Sequence, residues 1–138
     1  MTLQALLGTE LPLIQAPMAG VQGSALALAV CSAGGLGSLP AAMLSLEALR
    51  SELAALSAGT DRPYNVNFFC HRVPTPDAPR ETAWQAALAP YFREAGIELA
   101  SIVPGPGRAP FSAAAAEVLA EFDPPIVSFH FGLPAPEL

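Results

Sequence analysis

Short apolar runs of period two alternate with longer apolar stretches of helical period along this chain, which predicts repeated strand-then-helix units. Leu13-Ile14-Gln15-Ala16 reads as a strand closed by Pro17. Ser24 caps an apolar helix over 25–32 that stops at Gly34-Gly35. Leu36-Gly37-Ser38-Leu39 is a second strand, ended by Pro40. Ser45 caps the next helix, whose Leu46, Leu49, Leu53 and Leu56 form a stripe opposite Glu47, Arg50 and Glu52, with Gly59 at its end. Residues 64–69 form a third strand. From His71 to Pro79 the composition turns to Pro, Thr and Asp, which predicts an extended loop. Residues 81–95 predict a helix that Pro90 kinks or divides, 97–102 a short strand, and Pro104-Gly105-Pro106-Gly107 a rigid turn. Ser112 caps an alanine-rich helix to about Phe122, and 126–131 is the last strand.

Strands alternating with helices predict a parallel sheet with βαβ crossovers. Strand alternation then sorts the side chains. Gln15 shares a face with Leu13. Asn65, Asn67 and Phe69 oppose Tyr64, Val66 and Phe68. Ser128 and His130 oppose Val127, Phe129 and Phe131. Asparagine is a poor strand former, so two on one face of a buried strand need a reason. Three strands aim polar groups the same way, toward their carboxyl ends. An open doubly wound sheet buries both faces under helices and tolerates this poorly. A barrel interior opening at its top accommodates it. The predicted fold class is therefore α/β, with parallel strands forming part of a barrel.

Composition narrows the chemistry. Over 138 residues, 52% are hydrophobic and 13% charged, so much of the chain expects burial. Twelve acids face six arginines and no lysine, giving a net charge of −6. That balance disfavours nucleic acid and excludes a Schiff-base or P-loop lysine within these residues. No apolar run approaches a membrane span, and the first residues lack the form of a secretory signal, so a cytoplasmic location is expected. Cys31 and Cys70 are too few for a metal cage or disulfide framework, and no metal is expected. Cys31 reads as a buried small hydrophobe. Cys70 and His71, adjacent in sequence, point to opposite faces as strand neighbours and so make a poor catalytic dyad.

The runs Gln15-Ala16-Pro17-Met18-Ala19-Gly20, Ser32-Ala33-Gly34-Gly35-Leu36-Gly37-Ser38-Leu39, Asn65-Val66-Asn67-Phe68-Phe69 and Val127-Ser128-Phe129-His130-Phe131-Gly132-Leu133-Pro134 resemble those of nitronate monooxygenases, formerly 2-nitropropane dioxygenases. The first two are shared with flavin-dependent enoyl-thioester reductases, and the histidine segment is the sharper signal. The resemblance implies a (β/α)8 TIM barrel, of which this chain is a partial barrel of about the first four β/α units, that holds FMN at its top and oxidises propionate 3-nitronate or alkyl nitronates with O2. It implies that Ala16, Pro17 and Met18 line the flavin, that Asn67 hydrogen-bonds the flavin edge, and that His130 is the active-site histidine. On the residues alone, Met18 reads more readily as core than as a cofactor contact, and Asn67 reads equally as a strand-end cap and His130 as a satisfied core histidine. Imidazoles as a class titrate near neutrality. They can bind an anionic nitronate when protonated, or take the α-proton of a nitroalkane when neutral. His71 reads as solvated near the mouth, and Asn65 as a residue one step removed from the cofactor.

A full barrel takes roughly 200 residues or more. Residues 1–138 are therefore expected to be the N-terminal portion of one FMN-binding TIM-barrel domain, without the later loops that hold phosphate. A complementary chain, or self-association, is expected to cover the open sheet edges. Two alternatives to the monooxygenase reading stay open: an FMN-dependent enoyl-thioester reductase-like barrel, and a noncatalytic module that dimerises through those edges.

Overall fold

Three parallel strands, β1 (Gly37–Pro40), β2 (Tyr64–Phe69) and β3 (Ile126–His130), are hydrogen-bonded side by side in chain order. The computed structural model describes residues 1–103 and 108–138, so the expected turn at Pro104–Gly107 lies outside the described residues. The register sets Ser38 beside Asn65, Asn67 beside Ser128, and Phe69 beside His130. A fourth parallel segment is reduced to one bridge, Ile14 to Leu36. Its two backbone bonds, Leu36 N to Leu13 O and Gln15 N to Leu36 O, are both 2.9 Å. The strand expected at 13–16 stops there because Pro12 and Pro17 bracket it, and neither has an N–H to extend the ladder.

The chain forms two compact units, one of Met1–Arg72 with Arg108–Leu138 and one of Val73–Gly107. In the first unit, α1 (Leu3–Leu7), α2 (Ser24–Ser32), α3 (Leu46–Gly59) and α5 (Ala113–Phe122) accompany the sheet. The sequence pattern did not predict α1. Its Leu3, Leu6 and Leu7 have helical spacing, but five residues are too few for a period to stand out and none is buried; its signals are the Thr2 cap and Gly8 in left-handed conformation.

Leu49, Leu53 and Leu56 of α3 are buried as the stripe predicts, while Leu46, at the first helical position, stays exposed. They pack with Leu39, Val66 and Phe68 of the sheet and with Ala115, Val118 and Leu119 of α5. An exposed bidentate pair, Arg50 to Glu121 at 3.0 and 2.7 Å, ties α3 to α5. Hydrogen bonding to Arg50 holds the Glu121 carboxyl below its ordinary range. Cys31 is fully buried on α2.

The cap of α2 differs from expectation. Gly23 is the N-cap, and the Ser24 N–H donates to Glu52 Oε2 of α3 at 2.6 Å. A carboxylate from a neighbouring helix thus does what a local serine was expected to do, and its charge suits the helix N-terminus. On its other side α2 comes so close to β1 that a Cβ on Gly37 would lie 2.1 Å from the carbonyl oxygen of Ala27. Glycine is required there for the helix to lie against the strand.

The second unit holds α4 (Ala78–Glu94) and a short 3-10 turn, Leu99–Ser101. The extended loop expected through Pro79 ends earlier. Asp77 caps α4 by accepting from Arg80 N at 3.0 Å, and Pro79 sits in the first turn, where an N–H is not needed. Pro90 lies inside the helix without dividing it, since its φ is helical and it forfeits only a local hydrogen bond. No strand forms at 97–102 as expected; Leu99–Ser101 makes the 3-10 turn there, closed by Ser101 Oγ donating to Glu98 O at 2.7 Å. No helix among the described residues is long and apolar enough to cross a membrane.

The close approach at Gly37 gives a test. Gly37→Ala should drive α2 off β1 and cost at least about 3 kcal/mol, read as a fall in the urea unfolding midpoint. An unchanged midpoint would mean that α2 does not rest on β1 as described.

Candidate functional site

The face of the sheet away from the buried aliphatic side chains carries a row of polar residues. Ser38, Asn65 and Asn67 are buried there, Ser128 is half-buried and His130 is exposed. Parallel register brings them into pairs. Asn65 Nδ2 donates to Ser38 Oγ at 3.1 Å, and Asn67 Nδ2 donates to Ser128 Oγ at 2.8 Å and to Ser128 O at 3.2 Å. The asparagines that strand propensity disfavours are thus held by hydrogen bonds across the sheet.

Asn67 also meets His130, with Oδ1 and Nδ1 3.0 Å apart. Its amide nitrogen faces two acceptor oxygens on Ser128, which turns its oxygen toward the ring. Nδ1 of His130 must then carry the hydrogen, because Asn67 Oδ1 can only accept. The neutral imidazole is left with its Nε2 lone pair unengaged, and the cation with a second N–H there. The backbone holds the same end of the strand, since Cys70 N donates to His130 O at 2.8 Å. Burial pushes the Cys70 thiol up, away from the reactive thiolate.

Two glutamines complete the row on the side of the Ile14 bridge. Gln15 Oε1 accepts from Ser38 N at 3.2 Å, and Gln15 Nε2 donates to Ser38 O at 3.3 Å. This side-chain amide continues the ladder beyond the point where Pro17 stops it. Gln22 Nε2 donates to Ala16 O at 3.1 Å and Ser38 O at 3.3 Å, and so ties the loop of Ala16, Pro17 and Met18 to β1. Sequence reasoning missed Gln22; its signal is a lone polar side chain in an otherwise small and apolar loop. Met18 is about half exposed, at 47%. A Cβ on Gly20 would lie 3.5 Å from Met43 Sδ, so this loop and the turn after β1 meet. Among the described residues, no hydrogen bond joins Ala16, Pro17 or Met18 to the Asn67–His130 pair. Two buried acceptors, Asn65 Oδ1 and Gln22 Oε1, have no partner among the described residues.

Where β3 ends, the expected alternation fails. Phe131 was expected on the face of Val127 and Phe129, but its φ is +67° and that of Gly132 is +112°. The left-handed backbone turns the Phe131 ring to the His130 side, 5.0 Å from Phe69 and 6.1 Å from His130 between centroids. His71 packs edge-on against the same two phenyl rings, at 6.2 and 6.4 Å. It is therefore half-buried in this cluster rather than solvated.

The Asn67–His130 bond can be read directly. At a pH where imidazole is neutral, the 15N shifts of His130 should show hydrogen on Nδ1. Asn67→Leu should let the other tautomer appear and cost about 1–3 kcal/mol of stability from stranded polar partners. A wild-type ring protonated on Nε2 alone would contradict the arrangement.

Known proteins share this arrangement of chain. A nitronate monooxygenase of Paraburkholderia phytofirmans is 44% identical over 137 residues, covering 96% of this chain and 37% of its own length. A solved structure of nitroalkane oxidase from Streptomyces ansochromogenes superposes with a TM-score of 0.75 at 37% identity, covering 96% of this chain and 38% of that one. FabK from Thermotoga maritima, at 24% identity and a TM-score of 0.59, covers 94% of this chain and 30% of that one, and shares the fold alone. The chain thus spans little more than a third of the length of the first two, and its sheet is part of a TIM barrel. The family profile for nitronate monooxygenase matches residues 1–138, and the chain belongs to that family.

Proposed function

We propose that this chain is the N-terminal portion of one FMN-binding barrel domain that oxidises nitronates with O2, and that His130 is its catalytic residue. The observation that carries the reading is the His130 ring at the carboxyl end of a parallel strand, exposed to solvent and oriented through Nδ1 by a buried asparagine. TIM barrels place their chemistry at that end of the strands.

The residues present suit a flavin ring. Met18 and Met43 offer exposed, polarisable apolar surface. Ala16 and Pro17 bring backbone past the same strand ends. Asn67 has committed both amide hydrogens to Ser128, so toward a flavin edge it can accept from an N–H but not donate. Bound FMN supplies the one-electron acceptor that lets O2 complete the oxidation to a carbonyl compound and nitrite or related nitrogen oxides.

His130 contributes through Nε2, the nitrogen that Asn67 leaves unengaged. As the cation it donates there to an anionic nitronate oxygen. As the neutral ring it takes the α-proton of a nitroalkane. Propionate 3-nitronate and alkyl nitronates both fit this chemistry. The phosphate contacts of the cofactor, and the strands that cover the free edge of β3, come from further polypeptide, in the same chain or a complementary one. The coverage of about a third of each relative supports that division.

Two measurements test the proposal. His130→Ala in the flavin-loaded protein that carries this chain should lower nitrite release by about 10²- to 10⁴-fold, with flavin absorbance retained. Unchanged turnover would remove His130 from the mechanism. Residues 1–138 alone should bind FMN weakly or not at all in a fluorescence titration. Tight stoichiometric binding would place the phosphate contacts within this chain.

A further inference from the structure

We infer that Phe131, with Phe69, forms the wall against which the substrate's apolar substituent packs, so that this site prefers nitronates with longer alkyl chains. The inference rests on the nitronate reading above and specifies what the substrate carries beyond its anionic head.

Its first support is a backbone that works against the simplest packing. Continued strand alternation would send Phe131 to the face of Phe129, where Phe68 and Phe111 already form an aromatic layer with rings 4.9 to 6.4 Å apart. Instead Phe131 adopts φ +67°, a left-handed conformation unfavourable for a residue with a bulky side chain. The ring that results is 69% exposed. An aromatic side chain in a costly conformation that these residues leave uncovered is not packed in their core, and such outliers cluster where ligands are clamped.

The second support is what the ring adjoins. Phe131 lies 5.0 Å from Phe69, and both rings lie about 6 Å from His130. His71 closes the outer side edge-on, at 69° to Phe69 and 88° to Phe131. An anionic nitronate held at His130 Nε2 thus has aromatic carbon beside it. An alkyl chain there is removed from water, and each added methylene strengthens binding.

The test uses the flavin-loaded protein carrying this chain and the nitronates of nitroethane, 1-nitropropane and 1-nitrobutane. Wild-type kcat/KM should rise about two- to fourfold per added methylene. Phe131→Gly should flatten that rise to near unity, while its unfolding midpoint stays level or increases, because glycine accepts the left-handed backbone. Phe131→Asn also tolerates that conformation and should flatten the rise in the same way, which decides the matter if the glycine variant does not fold. A rise that persists in either variant overturns the inference. So does a wild-type enzyme indifferent to chain length, or one that prefers a carboxylate-bearing nitronate. A Phe131→Gly variant with a lowered midpoint and an equal loss for every substrate would mark the ring as structural and overturn it too. Turnover without chain-length preference sinks this inference alone. Absence of turnover with any nitronate sinks the proposed function and this inference with it.

Discussion

Parallel register decides which side chains can meet in this sheet, and the site depends on it. With Asn67 beside Ser128 and Phe69 beside His130, the asparagine amide reaches the serine opposite and the imidazole one pleat further on. A slip of one residue would turn Asn67 into the aliphatic layer and Val66 out of it. Register is held from both sides. Val66 and Phe68 are buried among leucines of α3, and Asn65 and Asn67 are hydrogen-bonded across the opposite face. Neither face tolerates the other's residues, so the packing that stabilises the fold also positions His130.

The polar face is well paired where it is built from β1 to β3 and under-paired toward its interior. Asn67 satisfies its donors and one acceptor position within the chain. Asn65 satisfies only its donor side, and its Oδ1 is buried without a partner among the described residues, as is Oε1 of Gln22. A buried unpaired acceptor costs about 1–3 kcal/mol, so each of these two oxygens works against the fold that the Asn67 bonds support.

Much of this was legible in the sequence because period two and period 3.6 are local properties. The leucine stripe of α3, the Ser45 and Ser112 caps, and the side-sorting of Asn65, Asn67, Ser128 and His130 all follow from spacing. What escaped was decided by partners distant in sequence or by backbone conformation. Glu52 caps α2 from 28 residues away, a contact that no local motif encodes. Gln22 acts through Ser38, 16 residues on. The strand at 13–16 carries an apolar pattern, but flanking prolines limit it to a single bridge. Residues 97–102 are apolar enough for a strand, yet among the described residues their unit holds no strand to pair with, and Leu99–Ser101 closes into a 3-10 turn. Asn67 and His130 were both singled out, but only the fold brings their side chains within 3.0 Å.

Phe131 is the sharpest failure of pattern reading, and its cause is instructive. Alternation holds while the backbone stays extended, and β3 leaves that region one residue after His130. The imidazole is thus the last side chain whose direction the sheet dictates, and the phenyl ring beside it is the first whose direction is set by a turn. The two neighbours differ in rigidity for that reason. His130 is fixed by Asn67 through a side-chain hydrogen bond and by Cys70 through its carbonyl. Phe131 has ring contacts with Phe69, His71 and His130 and adjoins Gly132, whose φ is +112°. A group that handles protons or charge needs the first kind of support, since its geometry must be held closely. A wall that accommodates apolar groups of different length works with the second.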